Sequence, residues 1–394
     1  MNTDFFIEVH CQQRNHDGER ICGDVFLKKR IKEENRTIVV LSDGMGHGVK
    51  ANLLATLTAT MALNFTEEHK DVERIADTIM NTLPVCSERQ ISYSTFTIVD
   101  IEHGGETRIL EYDNPKATLL RGKYPMPVKW ERIVMETAKN KGKVLRTTRF
   151  YPQKGDRIVF YTDGVAQSGL GIDKYPFGWG EESVDLYIRE LVESDMQISA
   201  ATLSSKIVTR AHKNDRYTSK DDTSTAAIYF RDPRKCLVST GPPYEKHNDV
   251  KLGKKVKDFV GYKIVSGATT ADIVARETKV EITDSFVFDD PDLPPISFME
   301  GIDLVTEGIL TLSKVSDILR DYSNDTRLGK GPADQIVRMF LESDEIYFII
   351  GTRINIAHQD PNLPVELEIR RTVIKRIARR LEDKFLKEVF LEYI

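Results

Sequence analysis

The sequence predicts an α+β domain followed by a smaller α/β domain with a mainly parallel sheet. In the first part of the chain, long strand-like runs are interrupted by pairs of helices, which is typical of a layered α+β domain. In the second part, short apolar strands alternate with helical segments. This pattern favours parallel strands with helices on the faces of the sheet. The length of 394 residues also suggests more than one domain.

We place the domain boundary at residue 233, so that the first domain spans 1–233 and the second spans 234–394. The four-residue joint that begins at Arg231 is short and polar, so we expect the two domains to touch. The second domain is expected to be regulatory or to bind a ligand.

The composition favours a globular protein of the cytoplasm. Hydrophobic residues make up 40% of the chain, and the net charge of −5 argues against a general nucleic-acid binder. No apolar run approaches the roughly 18 residues that a membrane span needs, and the first residues do not resemble a signal peptide. A structural zinc site is not expected, since no Cys-x-x-Cys pair occurs among Cys11, Cys22, Cys86 and Cys236.

The local patterns of the first domain predict the following elements. Strands are expected over residues 5–12, 21–28, 36–41, 92–101, 107–112, 117–121, 157–162 and 224–230. Helices are expected over 49–65, 71–83, 181–193 and 198–213. In the first helix, every fourth residue is apolar, so we expect one buried stripe formed by Leu53, Leu57, Met61 and Phe65.

In the second domain, strands are expected over 235–239, 262–266 and 346–350, and helices over 249–260, 270–277, 301–322 and 333–342. A last helix over 366–388 has an apolar stripe formed by Ile369, Val373, Ile377, Leu381 and Phe385. Its many basic residues would suit an acidic partner or a membrane surface. We favour a solvated face, because acidic residues are interspersed among them.

The strongest chemical signal is a set of aspartates at the ends of predicted strands, namely Asp24, Asp43, Asp163, Asp221 and Asp222. Carboxylates that converge on one point repel one another unless a cation is present. Ligands that are all oxygen atoms suit hard ions such as Mg²⁺ or Mn²⁺. Two such ions can activate a water molecule and clamp a phosphoryl oxygen.

Each of these aspartates also has a simpler interpretation, because Asp-Gly is a common turn sequence after a strand. What favours the metal interpretation is the joint pattern and the stretch that runs from Asp43 to Gly48, Asp-Gly-Met-Gly-His-Gly. So many glycines are costly in entropy unless the backbone needs them.

Four motifs in this order resemble those of the SpoIIE-like branch of the metal-dependent (type 2C) protein serine/threonine phosphatases. They are Cys-Gly-Asp at 22–24, Ser-Asp-Gly-Met-Gly-His-Gly at 42–48, Tyr-Thr-Asp-Gly-Val at 161–165 and Lys-Asp-Asp-Thr at 220–223. The resemblance covers residues from about 1 to 232. It implies an αββα sandwich and a phosphoprotein phosphatase with two Mn²⁺ or Mg²⁺ ions.

The resemblance also implies a role for each acidic residue. Asp43 would bridge both ions, the carbonyl of Gly44 would bind one of them, and Asp163 and Asp221 would hold the other. Asp24 would act directly or through water, and Asp222 is the weaker candidate of its pair. A metal-bound hydroxide would attack phosphorus without a covalent phospho-enzyme.

The sequence departs from the family pattern at two motifs. Where relatives carry Asn-Ala-Gly-His, this chain reads Tyr-Asp-Asn-Pro at 112–115, and Thr223 is followed by Ser224 in place of a more usual apolar residue and Thr. His47 could protonate the leaving serine oxygen. We favour a capping or packing role for it, near a carboxylate.

Three strands of the second domain end in glycine and hydroxyl residues. Ligands bind beyond the carboxyl ends of parallel strands, and Thr269 and Thr270 would stand at a helix N-terminus, which favours anions. A small anionic ligand at Gly267, Thr269 and Thr270 is therefore one expectation. The other is that these residues only turn strands into helices.

The leading hypothesis is a phosphatase of bacterial signalling. The resemblance suggests a phosphorylated anti-sigma-factor antagonist as substrate, and a second copy of the chain is a further expected partner. One alternative is a ligand-sensing regulatory or scaffold protein whose phosphatase domain is weak or conditional. Another is a metal-dependent hydrolase of a small phosphate ester.

Overall fold

A computed structural model describes residues 5–31, 33–70, 72–82, 94–137, 140–323, 326–353, 364–385 and 387–394. The chain forms two compact units, Met1–Asp232 and Pro233–Ile394, and the boundary expected from the sequence falls at residue 233. Cys86 lies outside the described residues, while Cys11, Cys22 and Cys236 are free thiols.

The first unit contains two sheets. A six-stranded antiparallel sheet has the order β2-β3-β4-β5-β9-β8; its strands are β2 Asp24–Ile31, β3 Arg36–Gly44, β4 Ser94–Glu102, β5 Thr107–Tyr112, β8 Glu131–Val134 and β9 Val144–Phe150. A five-stranded antiparallel sheet has the order β1-β11-β10-β6-β7; its strands are β1 Phe6–Arg14, β6 Thr118–Arg121, β7 Tyr124–Pro125, β10 Asp156–Tyr161 and β11 Thr223–Arg231.

The two sheets face each other across a core that includes Val39, Ile109, Ile158 and Phe230. Helices cover the outer faces: α1 Gly48–Glu67 and α2 Val72–Thr82 lie on the six-stranded sheet, and α4 Glu181–Ser194 and α5 Ala200–Asn214 lie on the five-stranded one. A short helix, α3 Asp163–Ala166, follows β10. The expected αββα sandwich is confirmed.

The predicted buried stripe of α1 is wrong in its first half. Leu53 is 64% exposed and Leu57 is 45% exposed, whereas Met61 and Phe65 are partly buried. The residues that α1 buries are small, as shown by Ala51, Ala55, Ala59 and Ala62. A helix that packs this closely on a sheet presents small side chains to it, and this leaves the larger leucines outside.

The sequence patterns missed β7, β8, β9 and α3. In β9, arginine and threonine residues from Arg146 to Arg149 mask the apolar alternation, yet the strand pairs with β5 along its whole length. This segment therefore forms a strand because it pairs with β5, although its own composition is polar.

The second unit has a seven-stranded sheet with the order β14-β15-β16-β13-β12-β17-β18. Its strands are β12 Lys235–Thr240, β13 Tyr262–Ser266, β14 Ile282–Asp284, β15 Ser297–Met299, β16 Ile302–Thr306, β17 Glu345–Ile350 and β18 Glu388–Tyr393. All pairings from β16 to β18 are parallel, and only β14 and β15 are antiparallel. The predicted mainly parallel sheet is confirmed.

The helices of the second unit lie on both faces of its sheet. One face is covered by α6 Asp249–Asp258 and α7 Ala268–Thr278, and the other by α8 Ile309–Asp321, α9 Pro332–Glu342 and α10 Pro364–Phe385. In α10, Val373, Ile377 and Leu381 are buried as expected, and Ile369 is exposed.

One predicted helix of this unit is wrong in extent, and one strand was not predicted. The segment predicted as a helix over 301–322 begins with strand β16 and becomes helical only at Ile309, and strand β18 follows the terminal helix, which ends at Phe385. Both strands are short and lie next to a helix with the same apolar character, so periodicity alone does not separate them. Among the helices that the structure describes, none is long and apolar enough to cross a membrane.

Candidate metal centre

Two of the predicted ligands come from neighbouring strands of the six-stranded sheet. Because β2 and β3 are antiparallel, the first residue of β2 stands beside the end of β3, and Asp24 is the direct cross-strand partner of Asp43. Side chains of directly opposite residues lie on the same face of a sheet, so the two carboxylates are close. Like charges in this arrangement are unfavourable unless a counter-charge is present.

The remaining aspartates come from the five-stranded sheet. Asp163 lies two residues after the end of β10, and Asp221 and Asp222 are the last two residues before β11, which is the antiparallel neighbour of β10. Beyond the effect of burial, the charges of Asp163 and Asp221 act on Asp43 across the two sheets and raise its pKa. The structure therefore brings the five predicted aspartates to one end of the sandwich, where both sheets contribute.

Asp24 links the two sheets. Its Oδ2 atom accepts hydrogen bonds from Ser224 Oγ at 2.6 Å and from Thr162 Oγ1 at 2.9 Å, and both donors belong to the five-stranded-sheet side. Its Oδ1 atom is buried and has no hydrogen-bond partner among the described residues. A buried carboxylate oxygen without a partner is costly, and a cation or its water would satisfy it.

The electrostatics of the cluster favour a cation. Burial raises the pKa of Asp43 well above its ordinary value, and the charges of Asp24, Asp163 and Asp221 raise it further. Burial also raises the pKa of Asp24, against the opposing hydrogen bonds from Ser224 and Thr162. Burial and the charge of Asp163 raise the pKa of Asp221 to about 6. A divalent cation would reverse these shifts by stabilising the ionised forms.

The donor set fits Mg²⁺ or Mn²⁺, because it consists of carboxylate oxygens and includes unsatisfied buried ones. Within the described ranges, no group of three or more histidine, cysteine, aspartate or glutamate side chains is arranged so that all of them could hold one metal ion directly. Mg²⁺ usually keeps several water ligands, so a cluster of this kind can hold it through few direct contacts.

Two glycines allow the backbone to close in around the cluster. A Cβ atom on Gly44 would overlap the carbonyl oxygen of Ala51 in α1, and a Cβ atom on Gly164 would overlap the carbonyl oxygen of Asp222. Gly44 is thus required by the close approach of α1 to β3. Gly164 is required by the approach of α3 to the segment before β11.

Asp222 occupies a different position from Asp221. It is 2% exposed, its Oδ1 atom accepts a hydrogen bond from the backbone N–H of His16 at 3.0 Å, and its Oδ2 atom has no partner in the described part of the chain. Asp222 therefore fixes the loop between β1 and β2 against the cluster, while Asp221 lies near Asp163.

His47 lies at the rim of the cluster. It immediately precedes α1, but its side chain makes no capping hydrogen bond to the described part of that helix. Its Nδ1 atom lies 2.7 Å from Glu19 Oε1, and its ring stacks on His16 with centroids 4.4 Å apart. This geometry agrees with the expectation that His47 lies near a carboxylate. It does not agree with the expectation that His47 caps the helix.

Three residues near the cluster were not found by sequence reasoning. His16 and Glu19 belong to a loop without a recognisable motif and reach the site only through the fold. Asp113 lies in the departing Tyr-Asp-Asn-Pro segment, has a φ of 58° and interacts electrostatically with Asp163. Positive φ at a residue other than glycine is uncommon and often marks a functional site.

The predicted ligand residues of the second unit lie at the end of β13. Gly267 precedes α7 with a φ of 113°, Thr269 is exposed and Thr270 is buried. Gly308, which precedes α8, lies beside Gly267. The Glu307 carboxylate accepts hydrogen bonds from the first turn of α8.

A family model described as Stage II sporulation protein E (SpoIIE) matches residues 33–231. Among solved structures, the SpoIIE phosphatase domain of Bacillus subtilis is similar with 14% identity and a TM-score of 0.44, over 59% of this chain and 95% of that one. The RsbU and RsbW domains of a Mycobacterium tuberculosis protein are similar with 15% identity and a TM-score of 0.44, over 64% and 67% of the two chains.

The SiaA-PP2C domain of Pseudomonas aeruginosa is similar with 12% identity and a TM-score of 0.43, over 56% of this chain and 85% of that one. Comparison with curated proteins gives no match. The assignment of a family therefore rests on the family model, which spans half of the chain and includes Asp43, Asp163, Asp221 and Asp222.

Proposed function

Since the chain belongs to the SpoIIE family and is therefore a protein phosphatase, we propose that it hydrolyses phosphoserine or phosphothreonine on a bacterial signalling protein with the help of two Mn²⁺ or Mg²⁺ ions. The observation that supports this best is the convergence of Asp24, Asp43, Asp163 and Asp221 from both sheets on one end of the sandwich.

The aspartates of the cluster would have different roles in holding the two ions. Asp43 of β3 would hold both ions and the carbonyl of Gly44 would hold one of them, while Asp163 and Asp221 would hold the other. When bound, the ions would lower the pKa of a water molecule and neutralise charge on the phosphoryl group. Ser224 and Thr162 hold the Oδ2 atom of Asp24 by hydrogen bonds. Its Oδ1 atom would contact an ion directly or through a water molecule.

Hydrolysis would proceed by direct in-line attack of water on phosphorus. Within the part of the chain that the structure describes, the thiols nearest to these aspartates belong to Cys11 and Cys22, and burial raises the pKa of both, so that they stay protonated at neutral pH. A thiolate is the nucleophilic form of cysteine. The proposal therefore includes no cysteinyl phosphate, and the resemblance to the family implies no other covalent phospho-enzyme.

The proposed substrate is a phosphorylated regulator such as an anti-sigma-factor antagonist, in the cytoplasm. A homodimer and a small anionic ligand at Gly267, Thr269 and Thr270 remain predictions. The position of these residues at the N-terminus of α7 supports the ligand, because helix N-termini favour anions.

The test is Mn²⁺-dependent turnover of p-nitrophenyl phosphate and of a panel of phosphoproteins by the full chain and by Asp43→Asn. We expect the variant to lose at least about a thousandfold in kcat on both substrates. A variant that keeps full Mn²⁺-dependent activity would overturn the metal assignment.

The same assay separates the alternatives. Turnover of p-nitrophenyl phosphate but of no phosphoprotein in the panel would favour a hydrolase of small esters. Activity that appears only with a ligand of the second unit would favour the regulatory protein with a conditional phosphatase domain.

A further inference from the structure

Helix α1 has two apolar faces. The inner face packs on β2, β3 and β4 through small residues, of which Ala51, Ala55 and Ala59 are fully buried. The outer face carries Val49, Leu53 and Leu57, which are 59%, 64% and 45% exposed. We call these three residues the α1 stripe. They recur every fourth residue and so form one continuous apolar row.

The outer face of α1 also carries little charge. From Gly48 to Thr66 the helix contains one charged residue, the exposed Lys50 beside the stripe, and its other exposed positions include Thr56 and Thr60. A helix on a protein surface ordinarily has a charged or polar face opposite its apolar one. An exposed apolar row with a single charged neighbour is typical of a surface that another molecule covers.

The position of the α1 stripe indicates what covers it. Helix α1 starts four residues after Gly44, and the exposed His47 stands at its N-terminus. At a rise of about 1.5 Å per residue, the stripe extends about 12 Å from Val49 to Leu57. It therefore begins at the rim of the metal centre and runs down the side of the domain.

We infer that the α1 stripe is the docking surface for the folded phosphoprotein substrate, which presents an apolar patch next to its phosphorylated residue. This inference rests on the proposed function. A protein whose phosphate lies at the aspartate cluster must cover the surface around it, and the stripe is continuous with that rim. A small ester such as p-nitrophenyl phosphate is too short to reach Leu53 and Leu57.

The test compares two substrates in three forms of the full chain. The substrates are the phosphorylated form of an anti-sigma-factor antagonist and p-nitrophenyl phosphate. The forms are the wild type, the double variant Leu53→Gln/Leu57→Gln and the control Leu186→Gln. Leu186 is a matched control, because it is a 53% exposed leucine of α4, on the other sheet.

We expect the double variant to lose roughly tenfold or more in kcat/KM on the phosphoprotein through a higher KM, because glutamine removes apolar contact area. Its kcat/KM on p-nitrophenyl phosphate should equal that of the wild type. The control should match the wild type on both substrates. Circular dichroism of all three forms checks that they are folded.

Three results would overturn the inference. Equal kcat/KM of the wild type and the double variant on the phosphoprotein overturns docking and leaves the proposed function intact. A wild type that hydrolyses p-nitrophenyl phosphate but not the phosphoprotein overturns the substrate as well. A wild-type dimer that becomes a monomer in the double variant, with equal losses on both substrates, assigns the stripe to a second copy of the chain.

Discussion

Asp24 and Asp43 are direct cross-strand partners, so a buried and a partly exposed carboxylate face each other across β2 and β3. Such a pair would be unfavourable as a purely structural feature. Asp163 and Asp221 from the opposite sheet bring two more negative charges close to this pair. Burial raises the pKa of Asp43 well above its usual range, and these charges raise it further. This relationship is what makes a cation centre the best account of the site.

The hydrogen bonds to Asp24 should tune metal binding. Ser224→Ala removes the donor at 2.6 Å from Asp24 Oδ2, and this bond lowers the pKa of Asp24. Without it the pKa rises, the ionised fraction at neutral pH falls, and the Mn²⁺ concentration for half-maximal activity should rise about tenfold. The deficit should shrink as the pH is raised.

Thr147→Ala is the matched control for this prediction. Thr147 is a buried hydroxyl residue of β9 that donates to the carbonyl of Ile109, away from the cluster. Its variant should need the same Mn²⁺ concentration as the wild type. A Ser224→Ala protein with an unchanged Mn²⁺ requirement at all pH values would show that Asp24 does not support the centre.

The stability of the metal-free protein should depend on pH in the direction set by these carboxylates. Burial raises the pKa of Asp221 to about 6, above the value of about 3.9 for an unfolded chain. A raised folded-state pKa contributes stability that is fully present below about pH 4 and is lost as the pH rises through about 6. The Tm in chelator should therefore fall between about pH 4 and pH 6, and added Mg²⁺ should raise the Tm above pH 6.

The variant Asp221→Asn tests whether the pH dependence of the Tm comes from the aspartate cluster. The variant cannot ionise at this position, so its Tm in chelator should fall less steeply than that of the wild type. Asp272→Asn, at an exposed position of α7, should keep the slope of the wild type. Identical slopes in all three proteins would mean that the cluster is not the source of the pH dependence.

Gly164 should be intolerant of a side chain. A Cβ atom there would overlap the carbonyl oxygen of Asp222, so Gly164→Ala should lower the free energy of unfolding by about 3 kcal/mol or more in urea titrations. Gly171→Ala is a matched control, since its φ of 82° is strained for alanine but nothing lies within 4 Å of the added atom. It should cost only about 1 kcal/mol. Equal costs would contradict the close approach at Gly164.

His47 should contribute little to the chemical step. It is bound to Glu19 and its side chain is 54% exposed, so His47→Gln should reduce kcat on the phosphoprotein by less than about tenfold, whereas loss of a general acid costs a hundredfold or more. Single-turnover measurements would show the difference. A reduction of a hundredfold that is absent with p-nitrophenyl phosphate, whose leaving group needs no proton, would instead make His47 the general acid.

Sequence reasoning found the acidic residues because their motifs and glycines are local. The family resemblance predicted the αββα sandwich, the strand pattern predicted the mainly parallel sheet of the second unit, and both are confirmed. Sequence reasoning could not find His16, because nothing near this residue in sequence shows that the β1–β2 loop meets Asp222. It placed Leu53 and Leu57 inside, because a period of four residues identifies a face but does not say whether that face or the small-residue face meets the sheet.

The central claim is that this cluster binds divalent cations, and a titration of the metal-free chain with Mn²⁺, followed by electron paramagnetic resonance, tests it most directly. We predict that the wild type and Asp272→Asn bind two Mn²⁺ ions per chain at neutral pH, and that Asp43→Asn binds them at least about a hundredfold more weakly. A wild type without saturable binding, or an Asp43→Asn variant that binds Mn²⁺ as the wild type does, would contradict the account.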